Sequence, residues 1–120
     1  MVVTDYAKNK VNLFLGGSQT DFPQYYIIGS GSGIAIGGDT ELVHPVDRQS
    51  FTETTFPTSQ KVTDQGDWNS VEISGIQLRQ FGKTGSGVGL TGSMWSIVSL
   101  PALTFDGTNE LRIEETWEVF

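Results

Sequence analysis

The sequence predicts a mainly β protein, a single antiparallel β-sandwich-like domain with one short N-terminal helix. Short apolar and β-branched runs recur along the chain, 15 glycines separate them, and helical apolar spacing stands out near the N-terminus. Two packed antiparallel sheets let such short strands bury one face each. A chain of 120 residues can build one core but not two. We therefore expect one domain over 1–120, with a β core over 24–120.

The N-terminal segment 4–15 has the pattern of an amphipathic helix. Thr4 is a suitable N-cap, and Gly16-Gly17 would end the helix through a left-handed C-cap. The apolar positions fall on one face at helical spacing, namely Ala7, Val11, Phe14 and Leu15. A helix this short is marginal in water. We therefore expect Val11, Phe14 and Leu15 to pack on the β core or on a neighbouring subunit, as candidate assembly contacts.

The next part of the chain reads as strands separated by turns. The aromatic and β-branched run 25–28 predicts a strand. Segment 48–56 is rich in threonine and predicts an exposed strand that Pro57 ends, with 61–63 continuing as a hairpin. Residues 64–67 have the composition of a turn, because glycine accepts positive φ and aspartate bonds nearby amides.

A slip in the apolar phase predicts an irregularity at Gly75. Val71 and Ile73 share one strand face, whereas Ile76 and Leu78 have the opposite parity. A β-bulge at Gly75 would place all four on the buried side.

The C-terminal part predicts strands at 94–100 and 103–105, a turn at 106–109 and a final alternating strand. In that last strand the apolar face carries Leu111, Ile113, Trp117 and Val119. Glu115 interrupts this face. It is either an edge-strand position or an intersubunit contact, and the sequence favours the first.

Composition and motifs argue against catalysis and nucleic-acid binding. A net charge of −7 repels a phosphate backbone, and without cysteine there is neither a disulfide nor a thiolate metal site. His44 is the single histidine and lies next to a proline, with no zinc ligand set around it. The glycine-rich run 29–33 lacks the last glycine of a dinucleotide fingerprint and the lysine of a P-loop. We predict a non-enzymatic protein with no cofactor, no metal site, no membrane association and no direct nucleic-acid partner.

The tryptophans suggest an alternative function, that of a carbohydrate-binding module. Trp68 lies between Asp67 and Asn69 in a predicted turn region, which makes it the candidate exposed aromatic residue. Together with Trp95 and Trp117 it could stack on sugar rings, as in a carbohydrate-binding β-sandwich module. An acidic hydrolase would need two carboxylates across a cleft, and the sequence does not single out such a pair.

The order of elements also carries a family resemblance. A short helix precedes the strand motif at 26–31, a polar segment with Asp-Thr-x-Leu follows at 39–42, and Arg48 lies downstream. Segment 73–78 and the final strand 110–120 complete the pattern, although the acidic residue and the glycine of 73–78 are shifted. Over nearly its whole length the chain resembles a family of small tailed-bacteriophage virion structural proteins.

The resemblance implies a virion component made in the host cytoplasm, with no catalytic residues. Its expected role is an adaptor or collar in the tail, neck, baseplate or fibre attachment region, with a capsid decoration (cement) protein as the alternative. Its expected partners are other phage structural proteins and copies of itself. Symmetric multi-copy assembly makes small interfaces sufficient, so a symmetric homo-oligomer is expected.

Overall fold

One helix and eight strands form in the residues that the computed structural model describes, which are 1–18, 21–85, 90 and 93–118. They are β1 (Val2–Val3), α1 (Asp5–Leu15), β2 (Tyr25–Gly29), β3 (Pro45–Ser50), β4 (Glu53–Thr58), β5 (Lys61–Trp68), β6 (Gln77–Thr84), β7 (Ser96–Thr104) and β8 (Leu111–Glu118). Val119, predicted to lie on the apolar face of the last strand, is outside the described residues.

The strands form two antiparallel sheets. The five-stranded sheet has the order β1-β7-β6-β2-β3, and the three-stranded sheet has the order β4-β5-β8. Each strand pair is antiparallel. The predicted mainly β, sandwich-like class with one short N-terminal helix is thereby confirmed.

Apolar side chains from both sheets meet in the main core. Because successive strand residues point to opposite faces, Tyr26 and Ile28 face the three-stranded sheet while Ile27 faces away. The buried members of this core are Tyr26, Ile28, Trp68, Ile73, Leu78, Phe105 and Ile113. Burial of such side chains stabilises each by about 1.5–3 kcal/mol relative to exposure, so this core supplies much of the fold's stability.

The opposite face of the five-stranded sheet carries a second, smaller core. Its buried members are Ile27, Leu42, Met94 and Ile97. Segment 30–44 crosses this face and is fixed to it by hydrogen bonds. The Val43 amide donates to Gln80 Oε1 at 3.0 Å, and the Met94 amide donates to the Thr40 carbonyl at 3.1 Å.

The helix is held at its first turn. Thr4 caps it by accepting the Ala7 amide at 3.2 Å, and the Thr4 amide donates to the Trp95 carbonyl at 3.1 Å. The Asp5 amide donates to the Gly37 carbonyl at 2.8 Å. Gly16 is the C-cap, as predicted. No helix among the described residues is long and apolar enough to cross a membrane.

Several predicted boundaries are wrong because tertiary pairing decides them. Segment 48–56 divides between β3 and β4. Pro57 lies inside β4, where proline is tolerated because it has no N–H to donate and β4 is an edge strand. In place of the two strands predicted at 94–100 and 103–105, residues 96–104 form a single strand, β7. Residues 64–67, predicted as a turn, lie within β5, paired with β8 along its whole length.

The predicted bulge at Gly75 is also wrong. Gly75 has φ +81° and lies in the turn between β5 and β6. The Asn69 side chain begins that turn by accepting the amides two and three residues ahead, and the Gly75 amide donates to the Phe105 carbonyl at 2.8 Å. Of the four residues expected in the core, Ile73 and Leu78 are buried, Ile76 is half-buried and Val71 is 82% exposed.

Candidate functional site

The predicted helix contacts lie on the surface. Val11, Phe14 and Leu15 are 43%, 57% and 77% exposed, so the expected packing on the β core is absent. The reason is that only the first turn of α1 is anchored, and Ala7 is its one buried residue. Packing of these three side chains on a neighbouring subunit stays a prediction.

A shallow groove lies beside the helix. Its volume is about 320 Å³, and it is lined by Val3, Ala7, Lys8, Val11, Asn12 and Leu15. Phe14 points elsewhere, edge-on to Phe22 with ring centroids 6.2 Å apart. The structure thus brings two of the three predicted contacts together and leaves their apolar atoms at the surface.

Trp68 is not the exposed aromatic residue predicted from its polar neighbours. It is 1% exposed in the main core, and its Nε1 donates to Asp47 Oδ2 at 2.8 Å. The strand alternation of β5 places Trp68 on the inner face with Asp64 and Gly66. Trp95 is buried as well, so these two indoles are not available for stacking on sugars.

Glu115 is on an edge strand, as the sequence favoured, and little of it is left at the surface for an intersubunit contact. β8 ends the three-stranded sheet, and the Glu115 side chain points into the sandwich, where the residue is only 7% exposed. It shares the inner parity of Ile113 and Trp117. A buried carboxylate needs compensation by a cation or hydrogen bonds, and Lys83 supplies the cation.

Lys83, Asp64 and Glu115 form a buried ion cluster between the sheets. Lys83 Nζ lies 2.7 Å from Asp64 Oδ2 and 3.8 Å from Glu115 Oε2. The three side chains are 1%, 7% and 6% exposed. They come from β6, β5 and β8, so the cluster joins the five-stranded sheet to the three-stranded sheet.

Aromatic rings surround the ammonium group. Lys83 Nζ lies 5.0 Å from the centroid of the Trp117 ring and 5.7 Å from that of Phe51. Tyr26 pairs directly with Lys83 across β2 and β6, and its hydroxyl donates to the Asp64 carbonyl at 2.8 Å. Burial, together with the charges of Glu115 and Asp64, raises the pKa of Tyr26. The phenol therefore stays protonated and acts as a donor.

Hydrogen bonds hold both carboxylates. Thr54 Oγ1 donates to Asp64 Oδ1 at 2.7 Å. Glu115 accepts from Ser96 Oγ at 3.0 Å and from Trp117 Nε1 at 3.3 Å. Burial raises the pKa of Glu115, and the Lys83 ammonium and these hydrogen bonds only partly offset that effect. With one cation facing two carboxylates, the cluster favours taking up a proton.

The sequence contained one signal for this cluster, the acidic residue in the apolar phase of β8. Its partners could not be identified from the sequence because they lie far away along the chain. Lys83 is 19 residues from Asp64, and the residues between them include the turn and most of β6. Asp64 was not recognised as a buried residue because residues 64–67 have the composition of a turn.

The other motifs have structural roles or lie at the surface. The glycine-rich run packs closely against the chain, since a methyl group at Gly31 would meet Val43 side-chain atoms at 2.7 Å. His44 is exposed, and its carbonyl accepts the Ser30 amide. In the described part of the chain, no group of three or more His, Asp or Glu side chains could hold a metal ion.

The edges of the three-stranded sheet are a second candidate surface. All six residues of β4 are exposed, and Phe56 is 75% exposed. β4 pairs with β5 on one side, and among the described residues no strand pairs with its other side. Among the described residues, no strand pairs with the outer side of β8 either. An open strand edge is a template for pairing with another chain.

A scan against protein-family models and a search of curated proteins each found no match to this chain. The resemblance to phage structural proteins remains a hypothesis resting on the sequence motifs given above.

Proposed function

We propose that this protein is a non-enzymatic virion structural protein of a tailed bacteriophage, an adaptor or collar component of the tail, neck, baseplate or fibre attachment region. It acts by joining copies of itself, and other phage structural proteins, in a symmetric assembly. The observation that carries this proposal is the three-stranded sheet with an open strand at each edge.

The directions of the strands suit a ring. β4 and β8 are both antiparallel to β5, so they run in the same direction. When β8 of one copy meets β4 of a second copy, the sheet continues as a parallel pair with two different surfaces in contact. Such a head-to-tail interface closes into a ring when the rotation between copies permits. A collar is a ring of this kind.

Apolar surface on α1 offers further contacts. Val11 and Leu15 line the groove beside the helix, while Phe14 and Phe22 form an exposed aromatic pair. Each patch is small, but in a closed ring every interface is repeated and each copy is held on two sides. Modest contacts then suffice because simultaneous engagement raises the effective concentration.

The interior position of the buried ion cluster supports a non-enzymatic role. Its side chains are packed between the sheets and face one another, whereas acid–base catalysis on a substrate needs groups within hydrogen-bond reach of that substrate. The carbohydrate-binding alternative loses its basis, since Trp68 and Trp95 are buried.

Substitution at the exposed edge tests the proposal. Phe56→Lys places a charge on β4, and charged side chains are how natural edge strands avoid pairing. Val71→Lys is the matched control, because Val71 is similarly exposed, at 82% against 75% for Phe56, but lies in the turn after β5. Neither change should alter the free energy of unfolding by more than about 0.5 kcal/mol.

Light scattering after size-exclusion chromatography would give the mass of the assembly. We expect a multi-copy species for the wild type and for Val71→Lys, and a monomer for Phe56→Lys. A wild type that is monomeric at all concentrations, or an edge variant that assembles normally, would contradict the proposal. Electron cryomicroscopy of particles containing the protein would then locate it, and density on the head surface would identify a capsid decoration protein instead.

A further inference from the structure

We propose that Lys83 and Asp64 condense to an intramolecular isopeptide bond that covalently joins β6 to β5, with Glu115 as the proton-relaying catalytic residue. This inference does not rest on the proposed function, because it concerns chemistry inside one copy of the chain. Its product would be a permanent link between the two sheets in a chain without cysteine.

The reacting atoms are already in contact. Lys83 Nζ lies 2.7 Å from Asp64 Oδ2, and because a carbon–oxygen bond is about 1.2 Å long, Nζ lies within about 4 Å of Asp64 Cγ. That separation is close to a near-attack distance of about 3–3.5 Å, and positioning of this kind corresponds to effective molarities of about 10⁵–10⁸ M. An amide bond that is unfavourable between free groups in water becomes accessible here.

The surroundings favour condensation over hydrolysis. The Lys83 side chain is 1% exposed and that of Asp64 is 7% exposed, and the rings of Trp117 and Phe51 cover the amine. An amine and a carboxyl group react as neutral species, so a proton must leave the ammonium before the bond forms. Water released by the reaction is also kept from reversing it.

Glu115 has the position and the chemistry of a proton relay. Its Oε2 lies 3.8 Å from Lys83 Nζ, and Ser96 Oγ and Trp117 Nε1 fix its orientation through hydrogen bonds. Since burial raises the pKa of Glu115, the group can accept a proton from the ammonium and return it. A general acid or base works best when it exchanges protons readily at the operating pH.

Thr54 supplies a hydrogen-bond donor for the reaction intermediate. Its hydroxyl donates to Asp64 Oδ1 at 2.7 Å, on the carboxylate oxygen that does not contact the amine. When Nζ attacks Cγ, negative charge develops on Oδ1, and a donor already aimed at that atom stabilises the tetrahedral intermediate. Oδ1 then stays as the amide oxygen, and Oδ2 leaves.

The step balances without any further reactant. The Nζ–Cγ bond forms and the Cγ–Oδ2 bond breaks. Of the three ammonium protons, one stays on the amide nitrogen, and Glu115 carries the other two in turn to Oδ2, which departs as water. Glu115 ends in its starting state, and nothing is oxidised or reduced.

The mass of the denatured full-length wild type tests the proposal. We expect it to lie about 18 Da, one water molecule, below the mass calculated from the sequence. Trypsin should then leave peptide 62–79 linked to peptide 80–112, because a Lys83 amide is not cleaved. A protein of full sequence mass would overturn the proposal, as would a mass loss that maps to Asp106-Gly107, where an aspartyl succinimide also loses water.

Variants separate the roles of the residues. Glu115→Gln and Lys83→Arg should have the full sequence mass, while Glu114→Gln, which removes an exposed carboxylate from the same strand, should retain the loss of water. Thr54→Val should form the bond more slowly when mass is followed after refolding from denaturant. Persistence of the linked peptides in folded Glu115→Gln at the wild-type rate would refute the relay.

Discussion

Lys83 is the residue at which the interior departs most from an apolar core. Before the bond proposed above forms, the buried ammonium is tolerated because two carboxylates and two aromatic faces surround it, and removing one partner from such a set is far more costly than its net contribution suggests. The same logic applies to Asp64 and Glu115, each of which would be a lone buried charge without Lys83.

Lys83→Met tests this dependence. Methionine fills a similar volume, cannot form the amide proposed above, and leaves two carboxylates buried without a cation, so the free energy of unfolding should fall by at least about 3–5 kcal/mol. The control is Lys61→Met, which breaks the Lys61–Glu118 pair, 3.5 Å apart and with side chains 41% and 35% exposed. Exposed pairs contribute about 0–1 kcal/mol. Urea denaturation measures both, and equal losses would contradict the assigned role of Lys83.

The pH dependence of stability should carry the signature of Glu115. Burial raises its folded pKa above the ordinary value of 4.5, against the opposing effects of Lys83, Ser96 and Trp117, and Asp64 adds to the rise. The stabilisation that Glu115 contributes is therefore fully present below pH 4.5 and is lost as the pH rises through the folded pKa.

Denaturation of wild type and Glu115→Gln over a series of pH values would reveal this. We expect the wild type to lose stability relative to Glu115→Gln as the pH rises from 4.5 through the folded pKa. Glu114→Gln removes a carboxylate on the exposed side of β8 and should follow the wild type. A difference that stays constant with pH, or grows in favour of the wild type, would be inconsistent with a raised pKa.

At the scale of elements, α1 is fixed by its first turn. Thr4 is fully buried, caps the helix through the Ala7 amide and donates its hydroxyl to the Met94 carbonyl. Thr4→Val keeps the shape and removes both interactions, so we expect a loss of about 1–3 kcal/mol. Thr40→Val, at an exposed position, is the control. Thermal unfolding followed by circular dichroism would compare them, and equal melting temperatures would show that the cap is dispensable.

The sequence predicted the elements whose ends or alternation depend on residues close together in the chain. The ends of α1 followed from Thr4 and Gly16, because a cap depends on neighbouring backbone groups, and the final strand followed from its alternation. The interior of β5 could not be predicted this way. Gly66 looks like a turn residue, yet a side chain there would strike the Tyr26 ring, a contact between residues 40 positions apart in sequence.

The same division applies to the candidate site. Apolar residues on α1 could be recognised from their spacing, but their exposure depends on where the helix is anchored. The polar neighbours of Trp68 suggested exposure, whereas its parity with Val62 and Asp64 along β5 decides that it faces inward. Glu115 was recognisable as an anomaly, and only the packing of the two sheets identifies its partner.

For the whole molecule, charge and size determine how copies approach one another. Each chain carries a net charge of −7 within dimensions of 46 × 29 × 26 Å. At 0.01 M salt the Debye length is about 30 Å, as wide as the molecule, whereas at 0.15 M it is about 8 Å. Acidic copies therefore repel across their full width at low salt and only near contact at physiological salt.

Self-association should accordingly strengthen with salt if strand edges and apolar patches form the interface. Sedimentation velocity at the two ionic strengths would measure it, with Phe56→Lys as the variant that stays monomeric at both. Association that weakens with added salt would point to ion pairs between copies and away from the β4 edge.

The two sheets differ in how much of their surface is packed against other parts of the chain. The five-stranded sheet has a buried apolar cluster on each of its faces. The outer face of the three-stranded sheet carries polar side chains that bond to one another, such as Thr63 to Thr116 at 2.7 Å and Gln65 to Asp67 at 2.9 Å. Substitutions there leave the packing unchanged and are usually within about 0.5 kcal/mol of neutral. Evolutionary drift should therefore be fastest on this face. For the same reason this face is the place to graft a new recognition surface, since the fold would be kept while the side chains on the face are replaced.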